Sequence, residues 1–151
     1  MHVSEARFGE DWVIMEKCVL QIKTGMYGEP FFAEGTYSEE KGILKYNWTE
    51  LHENERVSSD FELICDAAGK QVTVIRGGDV SSKMVFEPGN RTKGSLNTMF
   101  GVIEVEIDTE YVNFPSALNE TLEFSYTMDP DEGEPVKNVF SIKRLLQNSE
   151  G

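Results

Sequence analysis

The sequence predicts an all-β chain folded as an antiparallel sandwich or barrel. Three observations predict it: about nine or ten short runs in which apolar and polar residues alternate, turn residues between them at near-regular spacing, and no segment whose periodicity favours a helix throughout. At 151 residues the chain is long enough for a single substantial core without staples.

The polar residues 1–11 are expected to form a flexible segment, ahead of one β domain over 12–147 and a disordered tail over 148–151. The first strand, 12–24, places Trp12, Ile14, Cys18, Leu20 and Ile22 on one side and Val13, Met15 and Val19 on the other. Apolar residues on both faces at its start suit a strand covered by another segment, and a helix over 12–20 is the alternative. After a turn over 25–30, residues 31–38 read as a strand with Gly35 as a bend, since glycine inside a strand marks a corner or a close approach. Glu39-Glu40-Lys41-Gly42 turns into a strand over 43–51, where Leu44, Tyr46 and Trp48 alternate with Lys45, Asn47 and Thr49. A polar connection over 52–58 leads to a strand over 59–67, with Phe61, Leu63 and Cys65 against Asp60, Glu62 and Asp66.

The stretch 72–107 is the most informative because its register can be argued residue by residue. A loop of Gly77, Gly78 and Asp79 pairs Arg76 with Val80, Val74 with Ser82 and Val72 with Met84, keeping one face mostly apolar. A loop of Pro88, Gly89 and Asn90 then sets Phe86 opposite Thr92, Met84 opposite Gly94 and Ser82 opposite Leu96, with Glu87 and Arg91 as an exposed pair. After Leu96, Thr98 and Phe100 the apolar positions jump by one, to Ile103, Val105 and Ile107, and Gly101 sits at the jump. Gly101 therefore reads as a β-bulge or sharp corner that curls a sheet towards closure, with a tight turn as the alternative.

Tyr111, Val112 and Phe114 make a short strand ending at Pro115, and Leu122, Phe124, Tyr126 and Met128 make another. The acidic run 129–135 is a solvated turn, because it lacks the alternating oxygen ligands and distal carboxylate of a calcium loop. In the last strand, 136–146, Phe140, Ile142 and Leu146 share a side with Arg144.

Arg76-Gly77, then Met84-Val85-Phe86-Glu87-Pro88-Gly89, then Thr98-Met99-Phe100-Gly101 before an alternating acidic strand, occur here in an order that resembles the YwiB-like bacterial family of unknown function. Glu34-Gly35 before a tyrosine, the strand carrying Leu44 and Tyr46, and a last strand opening on Asn138 extend the resemblance over about 32–145. Leu96 and Met99 depart from the tyrosine and proline of that pattern. The resemblance implies a lipocalin-like or calycin-like fold and leaves activity open. Together with the signal at Gly101 it favours an antiparallel up-and-down barrel of about eight to ten strands over a sandwich.

Acidic residues number 27 against 14 basic, a formal net charge of −13. Such a surface favours solubility and repels phosphate backbones and anionic bilayers, so neither nucleic acid nor a membrane is an expected partner. No apolar run has the length of a signal core or a membrane span, and the two cysteines, Cys18 and Cys65, read as packed free thiols in a reducing cytoplasm. The three Asn-x-Thr matches are then chance matches.

Candidate chemistry is sparse. His2 and His52 lack ligand-spaced companions, no phosphate loop or nucleophile elbow occurs, and no catalytic residue, metal site or cofactor is assigned. Arg76 shares a face with Val72 and Val74, and a buried unpaired charge costs ~3 kcal/mol or more, so it needs a partner. Glu34, flanked by Phe32 and Thr36, is the first candidate. Thr98, Tyr46, Tyr126 and Asn138 are further polar groups that could converge with it, beside Met84 and Phe86. Such a set would orient a small amphipathic or anionic ligand inside a barrel, or else satisfy charges and fix register. An interaction module without a ligand, as monomer or homodimer, is the alternative function, followed by a barrel enzyme using interior tyrosine, glutamate and arginine. By analogy with lipocalin barrels that close one end by stacking an arginine of the last strand on a tryptophan of the first, Arg144 is expected to stack on Trp12.

Overall fold

The computed structural model describes residues 2–8, 11–25, 28–52, 57–78, 80–116 and 118–145, with side chains from residue 15 onward except at 52 and 57. The described residues form β1 (His2–Phe8), β2 (Asp11–Thr24), β3 (Phe31–Glu40), β4 (Ile43–His52), β5 (Val57–Asp66), β6 (Gln71–Gly77), β7 (Ser81–Phe86), β8 (Arg91–Thr98), β9 (Gly101–Asn113), β10 (Leu122–Met128) and β11 (Lys137–Leu145), and no helix. Neighbours in sequence are neighbours in the sheet from β3 to β11, all antiparallel, and β2 closes the ring by pairing with β3 over 14–22 and with β11 over 19–24. The fold is thus a closed up-and-down barrel of ten strands, β2 to β11, and closure leaves few sheet edges exposed. β1, inside the segment expected to be flexible, pairs with residues 11–17 of β2 along the edge that β11 leaves free.

One face of every barrel strand points inward. Leu20, Ile22, Leu63, Val72, Ile107, Leu122 and Ile142 are fully buried, and Phe86, Phe124, Tyr126 and Phe140 stack with ring centroids 4.5 to 5.9 Å apart. Trp48 lies flat on Phe61 at 5.1 Å. Gly94 shows how full the interior is: a Cβ there would collide with Met84 Sδ and stand 3.2 Å from both Ile107 Cδ1 and the Lys83 carbonyl. The middle of the barrel is packed like any protein core, with side chains in van der Waals contact.

Three register expectations are corrected. The β6–β7 loop is longer than three residues, so Arg76 pairs with Ser82, Val74 with Met84 and Val72 with Phe86. A slip of two residues keeps every side chain on its own face, so alternation alone cannot detect it. Asp79 of that loop lies outside the described residues. The β7–β8 register is the expected one, with Ser82 opposite Leu96. Arg91, however, turns away from Glu87 to pair with Asp131 at 2.7 Å and Glu106 at 3.6 Å, while Glu87 accepts from Gln71 and Asn90.

At Gly101 the tight turn is what forms: Met99 and Phe100 make a two-residue hairpin turn, and Gly101, at φ +122°, opens β9 opposite Thr98. The bulge lies elsewhere. Ser125 pairs with Tyr111 and Tyr126 with Thr109, so Glu110 is the extra residue of β9. It shifts the alternation from Ile107 and Thr109 to Val112, which is why the separate short strand expected over 111–114 is instead the end of one continuous β9.

Candidate functional site

The Tyr37–Tyr46 pair begins the site. These residues are direct partners across β3 and β4 on the inward face, and their rings meet edge-on at 5.3 Å. The next pair outward is Glu39 with Leu44. On β11, Arg144 lies two residues beyond the fully buried Ile142, so alternation aims it inward just as the strand leaves the barrel. The β9–β10 connection arrives beside it, shaped by reciprocal backbone hydrogen bonds between Ser116 and Asn119, and brings in Pro115, Ser116 and Glu120. Together these residues line a half-open cavity of about 300 Å³ at this end of the barrel.

Arg144 dominates the electrostatics. Its guanidinium lies 4.1 Å from the centre of the Tyr37 ring, with Nη1 3.3 Å from Glu16 Oε1 and Nη2 3.3 Å from Glu120 Oε1. Glu16 comes from the inward face of β2, opposite Tyr37, and its side chain is 12% exposed against 39% for Glu120. Cation–π contact and two charge-assisted bonds thus hold one arginine across three elements. Tyr46 is 1% exposed, and burial pushes its hydroxyl well above the usual phenol range. That hydroxyl feels Tyr37, Arg144 and Glu120, yet has no hydrogen-bond partner among the described residues. Burial, with the Glu16 charge adding to it, pushes the neighbouring Cys18 thiol up to about 11, which keeps it protonated and unreactive.

The match to known families decides the relationship: a domain of unknown function, DUF1934, matches residues 23–142. This chain belongs to the DUF1934 family. Tyr37, Tyr46 and the β9–β10 connection fall within the matched span of the DUF1934 domain, whereas Glu16 and Arg144 flank it. The crystal structure of the ywiB protein from Bacillus subtilis is similar to 87% of this chain and spans 94% of its own, with a TM-score of 0.63 and 15% sequence identity. At that identity the likeness speaks for the fold alone. No curated protein matches the chain.

The DUF1934 barrel does not gather the candidates read from the sequence into one place. Arg76 does face inward, but it donates to Ser59 Oγ at 3.1 and 3.3 Å and lies 5.6 Å from the Phe61 ring centre, on the stretch of β6 that leads away from the Tyr46 end. Glu34 is not its partner. Gly35 is the inward residue, opposite Trp48, so Glu34 and Phe32 point outward into solvent. The expected alternation of β3 had the opposite phase because glycine carries no side chain to mark its face. Ser59, 1% exposed, was missed; its shared parity with Phe61, Leu63 and Cys65 was the available signal.

Met84, Phe86 and Tyr126 fill the core, and burial raises the Tyr126 hydroxyl above its ordinary value. Thr98 caps the β8–β9 turn, donating to the Gly101 carbonyl and accepting from the Phe100 amide, both at 3.1 Å. Asn138 donates to the Val136 carbonyl. Of the eight candidates only Tyr46 lines the end cavity. Arg144 makes the expected kind of contact, but on Tyr37; the Trp12 side chain lies outside those described. Cys18 and Cys65 are buried and free. Among the described residues no cluster of three or more His, Cys, Asp or Glu could hold a metal ion, and no helix is long and apolar enough to cross a membrane. A larger groove, of about 700 Å³, runs over the outer face of β2 to β5 past Met15, Ile43 and Ile64, with a Lys45–Glu62 contact at 4.0 Å. It has the mixed character of an ordinary solvated sheet face.

Proposed function

We propose that this DUF1934 domain binds a small molecule in the cavity at the Tyr46 end of its barrel, and that the packed interior serves as the rigid support. One observation carries the reading: a hydroxyl on a residue that is 1% exposed faces a cavity of about 300 Å³ with no protein partner among the described residues. That hydroxyl is accessible from the cavity, so a water or a ligand there supplies the hydrogen bond that the protein does not. Protein side chains occupy the space deeper in the barrel, which moves the expected ligand from the interior to its end. The arrangement needed for acid–base catalysis, Tyr46 or Tyr126 beside Glu34 and Arg76, is not formed. The free thiols fit a reducing cytoplasm. A thermal-shift screen with water-soluble small molecules tests the reading: compounds that stabilise the wild type and not Tyr46→Phe support it. Stabilisation that is indifferent to Tyr46 contradicts it.

A second reading rests on the β8–β9 hairpin. Met99, Phe100 and Val102 at its tip are 88%, 92% and 67% exposed, and the β9 edge over 101–105 extends past the end of its pairing with β10. Such an edge can add a strand from a second copy of the chain, making the module a homodimer. Sedimentation of the wild type beside Val102→Lys decides: a dimer that the substitution dissolves supports it, and a monomer at all concentrations rejects it.

A further inference from the structure

We infer that the end cavity selects an organic ammonium cation, a small amine, over neutral or anionic ligands. This rests on the reading of the cavity as a ligand site and adds the chemical class. Two carboxylates, Glu16 and Glu120, hold the one guanidinium, that of Arg144, and a third, Glu39, lines the same cavity. The guanidinium is already engaged: one terminal nitrogen is on Glu16, the other on Glu120, and Tyr37 covers a face. Its charge is therefore already matched by two carboxylates before any anion arrives. Glu39 has no ion-pair partner among the described residues, and Glu120 keeps a second oxygen.

The remaining groups suit an ammonium. The Tyr46 hydroxyl is neutral, has no hydrogen-bond partner among the described residues and is accessible from the cavity, so it can accept from an N–H donor there. An ammonium brings three donors, which Glu39, Glu120 and Tyr46 match in number, and Leu44 with Pro115 offers an apolar wall to the attached carbons. A carboxylate in the same space would face two carboxylates, with the hydroxyls and a guanidinium already paired to Glu16 and Glu120 to compensate. The overall charge of −13 adds to the selection by concentrating cations near the surface.

The test uses the full chain, labelled with ¹⁵N, and three compounds of nearly equal size: benzylammonium, benzyl alcohol and benzoate, each titrated at constant ionic strength. Benzylammonium is expected to shift the amides of residues 37–39, 44–46 and 116–120, with the other two binding at least about tenfold more weakly. Glu39→Gln, an exposed substitution that leaves the Arg144 contacts intact, is expected to weaken benzylammonium about tenfold. Benzyl alcohol or benzoate shifting the same amides as tightly, or benzylammonium indifferent to Glu39→Gln, overturns the cation inference and leaves the cavity reading standing. Silence at these amides with all three compounds overturns both.

Discussion

Replacing Arg144 by leucine removes the only cation that Glu16 has among the described residues. The Glu16 side chain is 12% exposed and the Arg144 side chain 20%, so the pair is mostly but not wholly out of water. Stranding one member of a buried pair costs ~3–5 kcal/mol, and the residual exposure places this case near the lower end, at ~3 kcal/mol. Glu120, 39% exposed, regains water and adds little. With an m-value of about 2 kcal/mol/M, the urea midpoint should fall by about 1.5 M at unchanged m. Glu16→Leu alone should cost less, about 1–2 kcal/mol, because Arg144 keeps Glu120 and the Tyr37 ring. The double variant Arg144→Leu/Glu16→Leu should recover about 2 kcal/mol relative to Arg144→Leu, since an apolar pair of that volume replaces an ion pair at little net loss. If Arg144→Leu unfolds within about 0.5 kcal/mol of the wild type, or if the two substitutions simply add, the ion-pair account of this barrel end is wrong.

Other outcomes follow from single contacts. Tyr46→Phe should stay within about 1 kcal/mol of wild-type stability in the absence of ligand, because the hydroxyl it deletes has no protein partner, whereas Tyr46→Ala should cost ~3–5 kcal/mol by opening a cavity; urea titration separates them. Gly94→Ala should lower stability by ~1–3 kcal/mol through its collision with Met84, and adding Met84→Ala should not deepen the loss additively. Burial raises Cys18 from 9.0 to about 11 and Cys65 from 9.0 to about 12. Their folded-state values exceed the unfolded ones, so the stability they contribute is complete below pH 9 and falls as pH rises towards 11 to 12. Thermal midpoints across that window should drop, less steeply in Cys65→Val, and a thiol reagent at pH 8 should label both cysteines only as fast as the protein unfolds.

How far the sequence reveals this molecule depends on what alternation can encode. Strands with full-sized inward residues, such as β4, β5 and β10, are legible because period two is enough to assign their faces. β3 is not, since its inward position at Gly35 is marked by no side chain and its outward Phe32 and Glu34 imitate a buried pair. The bulge at Glu110 was misplaced to Gly101 for a related reason: a tight turn and a bulge both advance the apolar phase by one, and only cross-strand pairing tells them apart. The end cavity was legible in fragments. Arg144 on the apolar side of the last strand and Tyr46 on the inward side of β4 are both visible in the sequence. Their meeting depends on the barrel closing through β2 and on the β9–β10 connection, and neither is a local property of the chain.

The central claim is that a small molecule occupies the Tyr46 end of the barrel. Native mass spectrometry of gently purified wild-type protein, beside Tyr46→Phe and Arg76→Ala prepared in the same way, addresses it most directly. The account predicts an excess mass on the wild type that denaturation releases, that survives in Arg76→Ala and that is lost from Tyr46→Phe. An excess mass lost from Arg76→Ala and kept by Tyr46→Phe would contradict it, as would bare protein in all three.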